Sequence, residues 1–162
     1  RVMSVPLHPP LSIILAMTPS RWLTAAAALC FAIALLHAAM IFMGPDAYRY
    51  FGAPQLARAE ARGYAYPDLM TVVLVAVFAG FGAYALSGAG RIRRLPLLTV
   101  ALVLIGAVFT VRGLALFVQL AQLAAGTGAP PRNAVFSLVS LITGVSFLAG
   151  TLPRLRRPGS GS

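Results

Sequence analysis

Few side chains in this protein could do chemistry, and the first is Arg112. It is the only ionised group well inside an apolar run, the stretch 95–120. A fixed cation there can hold a carboxylate or phosphate headgroup, or pair with an acid such as Asp46 or Asp68. Charges within membranes are costly, rare and often functional. The plainer alternative is that Arg112 snorkels to the headgroups or makes one structural ion pair. Gln119 lies seven positions on, along the same helical face. His37 is a second candidate, sharing a face with Cys30. A zinc site takes three or four closely spaced ligands, and the only other histidine is His8. No metal and no cofactor is therefore expected, and a histidine hydrogen-bonded between helices is the plainer account. Asp46, Tyr48, Arg49 and Asp68 complete the candidate ligand-binding set with Arg112, His37 and Gln119.

Other chemistries find no support. Ser137 with a His and an Asp is a triad on paper only, because nothing resembles a nucleophile elbow. No catalytic residue is expected. No acid lies within a span, which disfavours a proton-coupled exporter built on a buried carboxylate. No TVGYG filter and no P-loop is present. Pro54-Gln55 falls in a loop, so it does not indicate a PQ-loop transporter.

These residues need apolar helices to position them. The chain is 59% hydrophobic and 10% charged, with mean hydropathy +0.86 over 162 residues. Soluble domains carry about 25% charged residues. The expected fold is all-α, a polytopic membrane bundle of four transmembrane helices. Its net charge of +10 is carried by arginine alone. The arginines sit between apolar runs, where they set topology, so nucleic acid is excluded as a partner. With Cys30 alone, no intrachain disulfide forms and no CxxC chemistry is available.

The spans are expected at about 22–43, 68–87, 95–120 and 134–152, making a membrane domain of 21–152 with a loop at 44–67. Residues 1–20 read as an N-terminal extension broken by Pro6, Pro9 and Pro10, with Met17 as a natural start. Residues 153–162 read as a basic tail ending in an appended GSGS linker. Trp22 anchors the first span, which is too long for a signal-peptide core of about 7–15 residues. The loop holds Asp46 and Glu60, with Asp68 at its edge as an expected helix cap, and Tyr48, Tyr50, Tyr64 and Tyr66. A short surface helix is expected over 54–62. Small residues line one side of the second span (Ala76, Ala79, Gly80, Ala83) and of the fourth (Ser137, Ser140, Gly144, Ser146, Gly150). Such faces let helices approach closely in lipid.

Arginine counting orients the bundle. The N-terminal segment, the 88–94 turn (Arg91, Arg93, Arg94) and the tail (Arg154, Arg156, Arg157) hold eight, against four in the two opposite loops. Both termini are thus expected in the cytoplasm, and the short turn makes spans two and three an antiparallel hairpin. Arg112 lies 17 residues along its span, about 25 Å, and His37 about 22 Å along its own. Both then belong to the outer third, level with Asp46 and Asp68, and a polar pocket is expected there.

HAAMIFMGPDAYRYFGAP, YALSGAGRIRRLPLL and the following RGL resemble a group of small, uncharacterised four-helix inner-membrane proteins of Gram-negative bacteria, over about residues 37–114. In general plan the chain is also similar to DoxX-like proteins. The resemblance implies the bacterial inner membrane and a four-helix fold, with no activity attached. The expected function is non-enzymatic: binding a lipid or amphipathic small molecule, a partner membrane protein or a second copy of itself. The alternatives are a small oligomeric transporter or channel, and a membrane enzyme at the outer leaflet.

Overall fold

Proline marks nearly every helix start. Its missing N–H costs nothing in a first turn, and its φ is already helical. The computed structural model describes residues 18–127 and 130–155, with Arg154 described by its backbone alone. Among the described residues six helices follow one another: α1 Pro19–Met43, α2 Pro45–Tyr50, α3 Pro54–Glu60, α4 Tyr66–Gly88, α5 Leu98–Ala124 and α6 Pro131–Leu155. All but α5 begin with proline at the first or second position. In α5 the proline comes two residues early. Pro96 disfavours helix at Leu95, and Leu97 takes a left-handed φ of 51° before the helix starts at Leu98.

The four long helices α1, α4, α5 and α6 are long and apolar enough to cross a membrane, and there is no strand among the described residues. This is the all-α four-helix architecture expected from composition. The outward faces carry large apolar side chains, Leu35, Val108, Val111 and Phe117 among them. In lipid, the outside of a bundle can be as apolar as its core.

Packing pairs the helices as α1 with α4 and α5 with α6, while α1 and α6 join the two pairs. The hairpin arms α4 and α5 touch much less. Phe78 and Phe81 of α4 meet Phe109 of α5 at ring-centroid distances of 6.1 Å, and the Phe109 ring stacks in turn on Phe147 of α6. The core proper is Leu23, Ala26, Ala27, Cys30, Ala85, Leu98, Leu102, Ile105, Phe109 and Phe147.

Glycine makes the α5–α6 seam close. A Cβ on Gly113 would stand 2.5 Å from the Cα of Leu141, and one on Gly144 would stand 2.5 Å from the backbone N of Thr110. The small face of the fourth span is therefore consumed inside the bundle. Ser137, Ser140, Gly144, Ser146 and Gly150 are all buried, with Gly144 against Thr110 of α5 and Gly150 against Leu23 of α1. Ser140, Thr143, Ser146 and Thr151 each donate to the carbonyl four residues back, at 2.7–2.9 Å. Their hydroxyls are thus satisfied without a partner helix. On α4, a Cβ at Gly80 would meet nothing within 4 Å, so only that small-residue side stays open.

The α4–α5 turn is pinned by Ser87. Its hydroxyl donates to the Arg93 carbonyl at 2.9 Å and accepts from the Leu95 N–H at 3.0 Å. Ser20 of α1 donates to the Ala89 carbonyl at 3.0 Å. At the opposite end, α2 and α3 form a small helical cap in which Ala47, Tyr48 and Ala57 pack with Met40 of α1.

Candidate functional site

The polar residues fall into two separate groups. The first is a groove of about 810 Å³ between α5 and α6. On α5 its lining is Ala107, Val108, Val111, Arg112, Ala115 and Gln119; on α6 it is Asn133, Phe136 and Ser137. Phe51 and Gly52, from the turn between α2 and α3, complete it. Phe51 is held there against Phe136, ring centroids 5.5 Å apart.

Arg112 is not in the outer third of its helix. Because α5 starts at Leu98 and runs on to Ala124, Arg112 stands 14 residues from one end and 12 from the other, about 21 Å and 18 Å. Its neighbour Gly113 packs on Leu141, near the middle of α6. The Arg112 side chain is exposed and has no ion pair or hydrogen bond among the described residues. Of the alternatives for its charge, pairing with Asp46 or Asp68 does not occur. The groove changes character along its length. From Arg112 toward the α2–α3 cap it mixes Ser137, Gln119 and Asn133 with Ala115, Phe136 and Phe51; toward the basic turn it is Val111, Val108 and Ala107 alone. Gln119 Oε1 and, beside the groove on α6, Arg132 Nε are buried without a hydrogen-bond partner among the described residues. The Arg132 guanidinium lies over the Tyr50 ring, 5.1 Å from its centroid.

The second group joins the cap to α4. The Tyr48 hydroxyl donates to Asp68 Oδ1 at 3.3 Å and shares a 2.8 Å hydrogen bond with Thr71 Oγ1. Tyr48 and Thr71 are 1% and 2% exposed. Burial pushes the Tyr48 phenol above its ordinary value. The Thr71 hydrogen bond works against that rise, and the charges of Asp68 and Glu60 add to it. Glu60 is half-buried, with Oε2 enclosed and unpartnered among the described residues. Burial first, and then the charge of Asp68, raise its pKa. Asp68 is not the helix cap. The N-cap is Ala65 and Asp68 lies in the first turn, where a carboxylate still suits the helix dipole.

The remaining candidates lie elsewhere. Asp46 and Arg49 form an exposed ion pair with each other. His37 is near the end of α1 but faces α4: its Nδ1 donates to the Ile33 carbonyl at 2.8 Å and its ring meets Phe78 at 5.0 Å. Arg91, Arg93 and Arg94 are exposed on the α4–α5 turn. The side chain of Arg154, together with Arg156, Arg157, His8 and the N-terminal extension, lies outside the described residues. Among the described residues no cluster of His, Cys, Asp or Glu could hold a metal ion.

The structure thus brings Arg112 and Gln119 to one groove and Tyr48 and Asp68 to one junction, and leaves His37 and the Asp46–Arg49 pair out of both. Sequence reasoning missed Phe51, Asn133 and Phe136 in the groove and Thr71 at the junction. The i, i+7 spacing of Arg112 and Gln119 pointed to a face, whereas nothing in the sequence showed which turn would cover it.

Fold and groove together define a polytopic four-helix bundle with an amphipathic cleft between two of its spans. No protein-family model, no curated protein and no solved structure matches this chain.

Proposed function

We propose that this is a non-enzymatic protein of the bacterial inner membrane, with both termini cytoplasmic, that holds an anionic amphiphile in the α5–α6 groove. One observation supports this most: Arg112, mid-helix in α5, faces the groove with no counter-charge. The chain cannot neutralise it at that depth. Its only acids are Asp46, Glu60 and Asp68, all at the α2–α3 end and none beyond the first turn of α4. A second copy would bring the same three. The anion must therefore come from another molecule. The change along the groove fits an acidic head at Arg112 with its polar rim on Gln119, Asn133 and Ser137, and a tail along Val108 and Val111.

The test uses oleate and oleyl alcohol, which share a tail and differ in charge. Wild type should retain oleate about tenfold more tightly in detergent, a difference of roughly 1.4 kcal/mol. Arg112→Gln should lose that preference while Arg62→Gln keeps it. Equal retention of oleate by wild type and Arg112→Gln would sink the proposal. The orientation has its own test. Cys30 is buried and is the only cysteine, so Gln55→Cys in α3 should react with an impermeant maleimide from the periplasmic side alone.

A further inference from the structure

At the other end of the bundle the α4–α5 turn shapes an open groove of about 770 Å³, lined by Ser87, Gly90, Arg94, Leu97, Thr99 and Val100 among others. We propose that it is a headgroup site for an anionic phospholipid, with the phosphate on Arg94 and the acyl chains along Leu97 and Val100.

Three observations lead there. Arg91, Arg93 and Arg94 crowd one turn, all exposed, and none has an ion pair among the described residues. Of the three, only Arg94 lines the groove. The groove rim is apolar and open: Leu97 is 78% exposed and Val100 56%. Beyond Leu97 the exposed positions continue on α5 as Val100 and Leu104, an i, i+4 pair on one helical face. A soluble phosphate would satisfy the arginine and leave that apolar face unused; a phospholipid uses both. A second copy does not fit, since every acid of this chain lies at the far end. The turn itself is held in shape by the two Ser87 hydrogen bonds, so the Arg94 backbone is set before a lipid arrives. A guanidinium presents a fork of donors that matches phosphate oxygens in pairs.

The experiment strips purified protein of lipid in detergent and counts bound lipid by native mass spectrometry during titration with phosphatidylglycerol, phosphatidylcholine or glycerol phosphate. Phosphatidylglycerol should fill one saturable site, and phosphatidylcholine should bind about tenfold more weakly. Arg94→Gln should lower phosphatidylglycerol affinity about tenfold, Arg94→Lys less, and Arg93→Gln by under about threefold. Arg62→Gln, at the far end, should change nothing. Melting temperatures of the variants confirm that each is folded. Equal losses from Arg93→Gln and Arg94→Gln would overturn the site in favour of diffuse charge. Displacement of the lipid by millimolar glycerol phosphate would overturn it in favour of a free phosphate.

Discussion

Tyr48 and Asp68 are 20 residues apart in the chain and are joined by a 3.3 Å hydrogen bond from the tyrosine hydroxyl to the carboxylate. With the 2.8 Å bond to Thr71, it fastens the α2–α3 cap to the first turns of α4. The cap in turn places Phe51 over the groove. Tyr48→Phe keeps the ring and removes the hydroxyl, so Asp68 loses its donor while Thr71 keeps its own 2.9 Å hydrogen bond to the Pro67 carbonyl. A hydrogen bond of this kind contributes about 0.5–1.5 kcal/mol net. The variant should melt at a lower temperature and expose the 44–67 segment to protease, while the spans stay folded. Unchanged protease resistance would show that apolar contacts alone hold the cap.

Glu60 should make this junction pH-dependent. Its pKa in the folded protein is raised, by burial first and by the charge of Asp68 second. A raised carboxyl binds its proton more tightly folded than unfolded. Its favourable contribution is complete below the ordinary carboxyl range and is lost as pH rises through the raised value. Wherever Glu60 is ionised in the folded protein, its burial and the charge of Asp68 make it a net penalty. Glu60→Gln removes the ionisation, so it should melt higher than wild type at pH 7.5. The two should converge near pH 4, where wild-type Glu60 is protonated. A variant that melts lower at both pH values would mean that the carboxylate has a partner that the cap needs.

The four long helices were legible in the sequence, because apolar runs separated by proline and arginine leave little choice in lipid. The depth of Arg112 was not. It turned on whether the third span begins at Leu95 or Leu98, and a left-handed Leu97 after Pro96 decided it. The fate of the small residues was not legible either. Gly144 and Gly80 look alike in sequence, yet Gly144 lies against the Thr110 backbone and Gly80 against open space. Which helix a small face meets is a property of the pairing. Here α5 packs mainly on α6 rather than on its hairpin neighbour α4. The groove inherits that uncertainty, since two of its walls and its cover come from three separate parts of the chain.

The same contrast predicts opposite outcomes for one substitution. Gly113→Ala puts a Cβ 2.5 Å from the Leu141 backbone, which cannot rotate away. The seam must open, at a cost of about 1–3 kcal/mol. Gly80→Ala meets nothing within 4 Å and gains helix propensity, at most about 1 kcal/mol in a soluble helix. Melting in detergent should fall for the first and hold or rise for the second. If Gly80→Ala also lost stability, α4 would have a close neighbour in the assembled protein, and its small-residue side would become an interface.

Arg112 and Arg132 should separate in the same way. Arg132 rests on the Tyr50 ring at the mouth of the groove, and a cation–π contact of this kind contributes about 0.5–2 kcal/mol. Arg132→Leu should therefore lower stability. Arg112 has no such contact, and its charge sits mid-helix, where an arginine costs roughly 2.5–3.5 kcal/mol on insertion scales. Removing a charge that nothing compensates relieves the protein of that cost. Arg112→Leu should raise the melting temperature in empty detergent while abolishing oleate retention, the opposition expected where a site is held ready for a ligand. The measurement is thermal melting of both variants with and without oleate. Oleate should stabilise wild type and leave Arg112→Leu where it was. A fall in melting temperature for Arg112→Leu without ligand would make Arg112 a structural residue that reaches the headgroups, and the groove would lose its claim to an anion.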